Sequence, residues 1–159
     1  MYWWNIDALI DDLKRKKVST IEKLKYFLGF WILGIVLYYL TLLVYEKISP
    51  KLLLTEGVLI ASITFIGIIQ CYKINTQGDN KEFIERVICL NWPITVQIFV
   101  FVTIVYVLLE FSIGYFALGD GLWQQIVDFL IVILTEAIFF GWLYASIKSV
   151  AHARRKSKQ

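Results

Sequence analysis

Three carboxylates stand where carboxylates are costly. Glu136 lies near the middle of the run from Trp123 to Lys148, which is otherwise long and apolar enough to cross a bilayer, and Glu110 and Asp128 lie inside runs of the same kind. An ionisable group at the centre of a membrane helix costs ~3 kcal/mol on insertion scales, so each needs a buried partner, a water-lined path or a bound proton. No Lys or Arg occurs inside the apolar runs to neutralise them. Two facing carboxylates would share a proton, or burial and like charge would keep one neutral. The chemistry on offer is passage of protons or cations. Its structural counterpart is a set of protonated carboxyls hydrogen-bonded between helices, worth ~1 kcal/mol or less each.

Helical spacing sets their depth. At ~1.5 Å per residue, Glu110 sits roughly 9 Å inside the outer end of its run at Phe116, Asp128 roughly 8 Å inside Trp123, and Glu136 ~20 Å inside it. Thr103, Tyr106, Glu110 and Gly114 share one stripe, and Gln124, Asp128 and Thr135 share another with Glu136 at its edge. Both stripes are expected to face protein. Glu46, Glu56, Glu110, Asp120 and Asp128 outweigh Lys47 and Lys51 in the outer half, which predicts an acidic mouth above Glu136.

The elements that must carry these groups follow from composition. Of 159 residues, 58% are hydrophobic and 16% aromatic, too apolar for a soluble domain with a polar shell. Four segments, about 26–45, 52–72, 93–116 and 123–147, each approach the ~20 residues that span ~30 Å of hydrocarbon. Backbone groups in lipid must be satisfied within their own segment, so the expected fold is an all-α membrane protein of four transmembrane helices in a bundle. Basic residues crowd before the first segment, between the second and third, and in the tail 148–159, which places both termini in the cytoplasm of a cell (inner or plasma) membrane. The charged lead before the first segment is unlike a signal peptide, so the chain is expected to keep its start at Met1.

Residues 1–19 form a cytoplasmic lead to the bundle over 20–159. Asn5 can cap a helix over about 6–17 in which Ile6, Leu9, Ile10 and Leu13 share a face. With Trp3 and Trp4 ahead of it and Lys14, Arg15, Lys16 and Lys17 at its end, it is expected to lie flat as a membrane-interface anchor toward anionic lipid. The same stripe is also a surface for a cytoplasmic partner or a neighbouring subunit. Ser19-Thr20-Ile21-Glu22 is a capping box that starts the next helix at Thr20. Gly57-x-x-x-Ala61 has the spacing that lets membrane helices approach closely, so the second span is expected to be the most buried. Asp79-Asn80-Lys81-Glu82 predicts a second interfacial helix over Phe83, Ile84, Val87 and Ile88, stopped at Asn91-Trp92-Pro93. No repeat is visible between the two halves.

Other chemistry finds little purchase. His152 is the only histidine and lies in the basic tail, and no zinc, P-loop or dinucleotide motif occurs, so no cofactor, metal or catalytic residue is expected. Cys71 and Cys89 lack paired spacing and read as reduced packing residues. The tail charges suit topology and lipid, with no nucleic-acid partner implied. Small multidrug exporters are similar in having four spans and a membrane glutamate, but theirs lies in the first span, which here has no charge before Glu46. Four-span immunity proteins against pore-forming bacteriocins and small membrane effectors of bacterial antiviral systems are similar in size and topology only. The expected function is that of a non-enzymatic homo-oligomer that permeates ions or perturbs the membrane. The alternative is a partner-binding, regulatory or immunity-type subunit with structural carboxylates.

Overall fold

The computed structural model describes residues 2–44, 50–113 and 122–156, with side chains placed over 2–37, 51–112 and 123–152. Glu46, Lys47 and Asp120 of the expected outer mouth, Gly114 of the expected third-span stripe, and the tail side chains from 153 onward, lie outside these. The described residues form five α-helices and no strand: α1 (Ile6–Lys14), α2 (Thr20–Val44), α3 (Pro50–Gln77), α4 (Phe83–Ile113) and α5 (Leu122–Lys156).

The short-range signals act as their chemistry requires. The Asn5 side chain accepts from the Ala8 N–H at 2.9 Å and opens α1. α1 closes when Lys16 takes φ 56°, so that its N–H reaches the Leu13 carbonyl and the Lys17 N–H reaches that of Asp12. This is a Schellman end, reached with a lysine in the left-handed region where glycine is usual. It stops the helix at Lys14, three residues before the expected boundary. The capping box forms in both directions, the Glu22 N–H donating to Ser19 Oγ and the Ser19 N–H to Glu22 Oε2.

Long helices override two expected breaks. α4 runs unbroken from Phe83 through Pro93 to Ile113, in place of a separate interfacial helix ending at Asn91-Trp92-Pro93. Proline removes one backbone donor, a loss that packed membrane-type helices tolerate, and Pro93 is buried among neighbouring side chains. α5 likewise continues beyond 147 to Lys156. Its 35 residues rise roughly 52 Å at 1.5 Å each, well beyond a ~30 Å hydrocarbon layer. The overhang supplies the buried core.

Three helices, over Lys51–Gln77, Phe83–Ser112 and Trp123–His152, are long and apolar enough to cross a membrane. The expected set of four is thus met only in part. The placed portion of α2 includes Glu22, Lys23 and Lys25, and its apolar remainder from 38 on has no described side chains.

The principal contacts connect the helices in the order α2–α4–α5–α3. α3 and α5 run parallel in constant register, since Thr64 meets Glu136, Gly67 meets Phe140 and Gly78 meets Ala151. α2 and α4 are also parallel, with Lys23 beside Glu85. α4 and α5 are antiparallel, joined by Tyr106 and Asp128. α1 packs across the ends of α4 and α5.

The buried core lies at that α1 end. Leu9 of α1, Tyr26 of α2, Cys71 of α3, Leu90 and Ile94 of α4 and Ile147 of α5 are all nearly inaccessible. The far half is different: Phe111 is 88% exposed, Trp123 78% and Leu54 70%, an apolar surface that water would not leave bare. α3 is therefore not the most buried helix. Gly57 and Ala61 face outward, and a Cβ on Gly57 would meet nothing within 4 Å. The close approach occurs at Gly67, where a Cβ would stand 2.3 Å from the Phe140 ring.

Candidate functional site: a carboxylate seam between α3 and α5

The parallel register of α3 and α5 puts polar groups opposite one another along one seam. Glu136 is half-buried, and its Oε1 accepts a hydrogen bond of 2.8 Å from the Thr64 hydroxyl. Helical hydroxyls commonly satisfy themselves on the carbonyl four residues back. Thr55, Ser62 and Thr103 do so, on Lys51, Val58 and Phe99 respectively. Thr64 donates across the seam instead, because Glu136 offers a stronger acceptor at the same level.

Two turns farther from the α1 end, Asp128 stands where three helices meet. It accepts from the Tyr106 hydroxyl of α4 at 2.9 Å, and Glu56 of α3 lies within its electrostatic range. The sequence placed Glu110 and Asp128 at one depth. The structure gives Asp128 a phenol from α4 and a second carboxylate from α3, with Glu110 half-buried one turn beyond Tyr106. Of the expected α4 stripe, Tyr106 and Glu110 turn inward, whereas Thr103 is exposed and bonded within its own helix.

Toward the α1 end the seam opens into a cleft of about 320 Å³ lined by Gly67, Gln70, Phe140, Gly141 and Tyr144. Glu136 lies one turn above Phe140. Glu56 with Asp128, Thr64 with Glu136, and then Gln70 and Tyr144 form a descending series of polar groups between the same two helices. Alternating proton acceptors and hydroxyls of this kind can relay a proton or pass a partly dehydrated cation.

The expected interface residues meet a different environment. The apolar stripe Ile6, Leu9, Ile10 and Leu13 is buried against the chain's own α4 and α5. Trp3 and Trp4 remain 60% exposed, with Trp3 edge-on to Trp92 at a centroid distance of 5.1 Å. Lys14 pairs with Asp11 at 3.2 Å and Lys16 with Glu82 at 2.7 Å, while Arg15 and Lys17 are exposed. Lys16 and Glu82 both have positive φ, and their ion pair joins the α1–α2 turn to the α3–α4 turn.

Three roles escaped the sequence. Thr64 and Glu56 could not be matched from the sequence to their partners, which are some 72 residues away. The third is Arg86, counted for topology but only 1% exposed: its guanidinium grips Asp79 through two bonds of 2.7 and 2.5 Å and also donates to Asn75. Nothing in local spacing announces a buried arginine at the start of an apolar helix.

Comparison with known proteins finds no matching protein family, no matching characterised protein and no matching solved structure. Fold and seam together define an all-helical protein with three helices able to cross a membrane and carboxylates set between them.

Proposed function

We propose that the chain is a small non-enzymatic protein of the inner or plasma membrane, with α2 completing four spans, that acts as a homo-oligomer to pass protons or cations. The observation that carries this reading is the Thr64–Glu136 contact at mid-seam, in line with Asp128 and Glu56 above and the Gln70–Tyr144 cleft below. Depth makes snorkelling of so short a side chain a poor explanation for Glu136. The distribution of Lys and Arg supports cytoplasmic placement of both termini, with the α1 end facing the cytoplasm. Homo-oligomerisation is supported by the exposed apolar faces of the far half and by the helix row, since four helices of one chain pack around side chains and leave little lumen. No cofactor enters this reading.

A second reading has its own observation. Glu136 and Asp128 each accept a hydroxyl from a neighbouring helix, the arrangement expected of structural glue in a partner-binding or regulatory subunit. Reconstituted vesicles separate the two. Glu136→Gln keeps an acceptor for Thr64 but removes the titrating charge, so a conducting protein inserts normally and loses most of its proton or cation flux. Unchanged flux in the Gln variants of Glu136 and Glu110 and in Asp128→Asn would sink the carboxylate path. A single protomer per assembly, weighed in nanodiscs, would sink the oligomeric pore.

A further inference from the structure

A second cleft, of about 560 Å³, opens between α1, α4 and α5, and its walls include Trp4, Asp7, Gln97, Trp142, Ser146 and Ser149. That volume suits a small-molecule site. Its single formal charge is Asp7, set among two indoles and two hydroxyls. The other acidic residues at this end are engaged. Asp11, Asp79, Glu82 and Glu85 each hold a Lys or Arg, and Asp12 and Glu22 accept from Tyr2 and Ser19. Among the described residues none holds Asp7.

An exposed carboxylate that shares a cleft with indole rings favours a cation with an apolar skirt, because the carboxylate supplies charge and an indole can add cation–π attraction. An anion drawn to the start of α1 is the rival occupant. Asn5 already takes the Ala8 N–H there, and the full negative charge of Asp7 outweighs the remaining partial positive charge. Depth points to the source of the cation. Trp3 and Trp92 pack together, and Trp4 and Trp142 share the cleft, so four of the chain's six tryptophans gather at this end. Tryptophans concentrate at the headgroup level of a bilayer.

On the membrane reading above, we infer that this cleft binds the ammonium headgroup of a zwitterionic phospholipid, with Asp7 as counter-charge and Trp4 and Trp142 as its aromatic walls. The site is separate from the α3–α5 seam. It would seat one lipid against α1 and so couple the lipid to the packing of α1 on α4 and α5.

The test uses the full-length protein in vesicles of phosphatidylethanolamine and phosphatidylglycerol, followed by detergent extraction and mass spectrometry of retained lipid. Phosphatidylethanolamine is expected to be retained at least about five-fold over its share of the bilayer, and phosphatidylcholine likewise when substituted for it. Asp7→Asn and Trp142→Leu each abolish the enrichment, while Asp11→Asn, on the same helix but outside the cleft, preserves it. Equal retention of both lipids, enrichment of phosphatidylglycerol, or enrichment that survives Asp7→Asn overturns the site. Displacement of the lipid by free ethanolamine at equal concentration overturns its assignment to a lipid. Protein that fails to float with the vesicles overturns the membrane reading instead, whereas protein that floats without headgroup preference overturns the site alone.

Discussion

At the scale of single residues, burial and partner geometry separate groups that look alike in the sequence. Arg86 and the exposed Arg15 are both basic residues near a membrane end, yet only Arg86 is enclosed and held by a carboxylate and an amide. Removing one partner of a buried ion pair leaves an uncompensated charge and costs about 3–5 kcal/mol. Arg86→Met is therefore expected to lower thermal stability in detergent sharply, and Asp79→Asn added to it should restore part of the loss, read as a non-additive double-mutant cycle. Additive losses would show that the pair is not coupled. At the N-terminus the Tyr2 hydroxyl donates to Asp12 at 2.5 Å, which raises the phenol above its ordinary pKa of 10.0. A group raised in the folded state stabilises fully below its unfolded pKa and loses that contribution as pH rises through the folded value. Ultraviolet titration should show a late tyrosinate that returns toward 10 in Asp12→Asn.

At the scale of elements, two glycines on one helix make opposite predictions. Gly67→Ala drives a Cβ into Phe140 and should cost about 1–3 kcal/mol by overpacking, because the clash reaches the Phe140 Cβ as well as its ring. Gly57→Ala meets open space and removes backbone freedom from the unfolded chain, so it should be neutral or stabilising by up to about 1 kcal/mol. Thermal scans of the two variants in one detergent check the seam register directly. If Gly57→Ala is the more damaging, α3 is rotated from the arrangement described. Ser19→Ala tests the start of α2, where losing the bond from the Glu22 N–H to Ser19 Oγ should cost about 1 kcal/mol while the Ser19 backbone N–H keeps its bond to Glu22.

At the scale of the whole molecule, stability is concentrated at one end. The tightly packed region joins α1 to the ends of the four long helices, and the far half presents apolar side chains outward. This division predicts that hydrogen exchange in detergent protects 86–98 and 140–151 far more than 100–112 and 123–134. Because α2 runs parallel to α4 and α3 to α5, the starts of α2 and α4 share one end of the protein with the ends of α3 and α5. Reporter tags at the C-terminus and near Gly119 should accordingly report opposite compartments, with the C-terminus cytoplasmic. An external C-terminus would reverse the proposed orientation.

Helix starts were legible in the chain, whereas two of the expected helix ends were not. Asn5, the Ser19–Glu22 box and the long apolar runs determined where helices begin and that they are helices, because capping and backbone satisfaction depend on residues within a few positions of one another. The sequence also singled out Glu136 and Asp128 as groups needing partners, since the cost of burying a carboxylate is independent of the fold. Which partners they found was a tertiary decision. Thr64 and Tyr106 reach them only because α3 and α5 align in parallel while α4 runs against them, a register set by the fit of Gly67 to Phe140 and of Gly78 to Ala151. The fate of α1 was decided in the same way. Its apolar stripe promised burial without naming a surface, and the protruding ends of α4 and α5 supplied that surface within the chain, because side chains shaped to interdigitate outcompete a fluid interface.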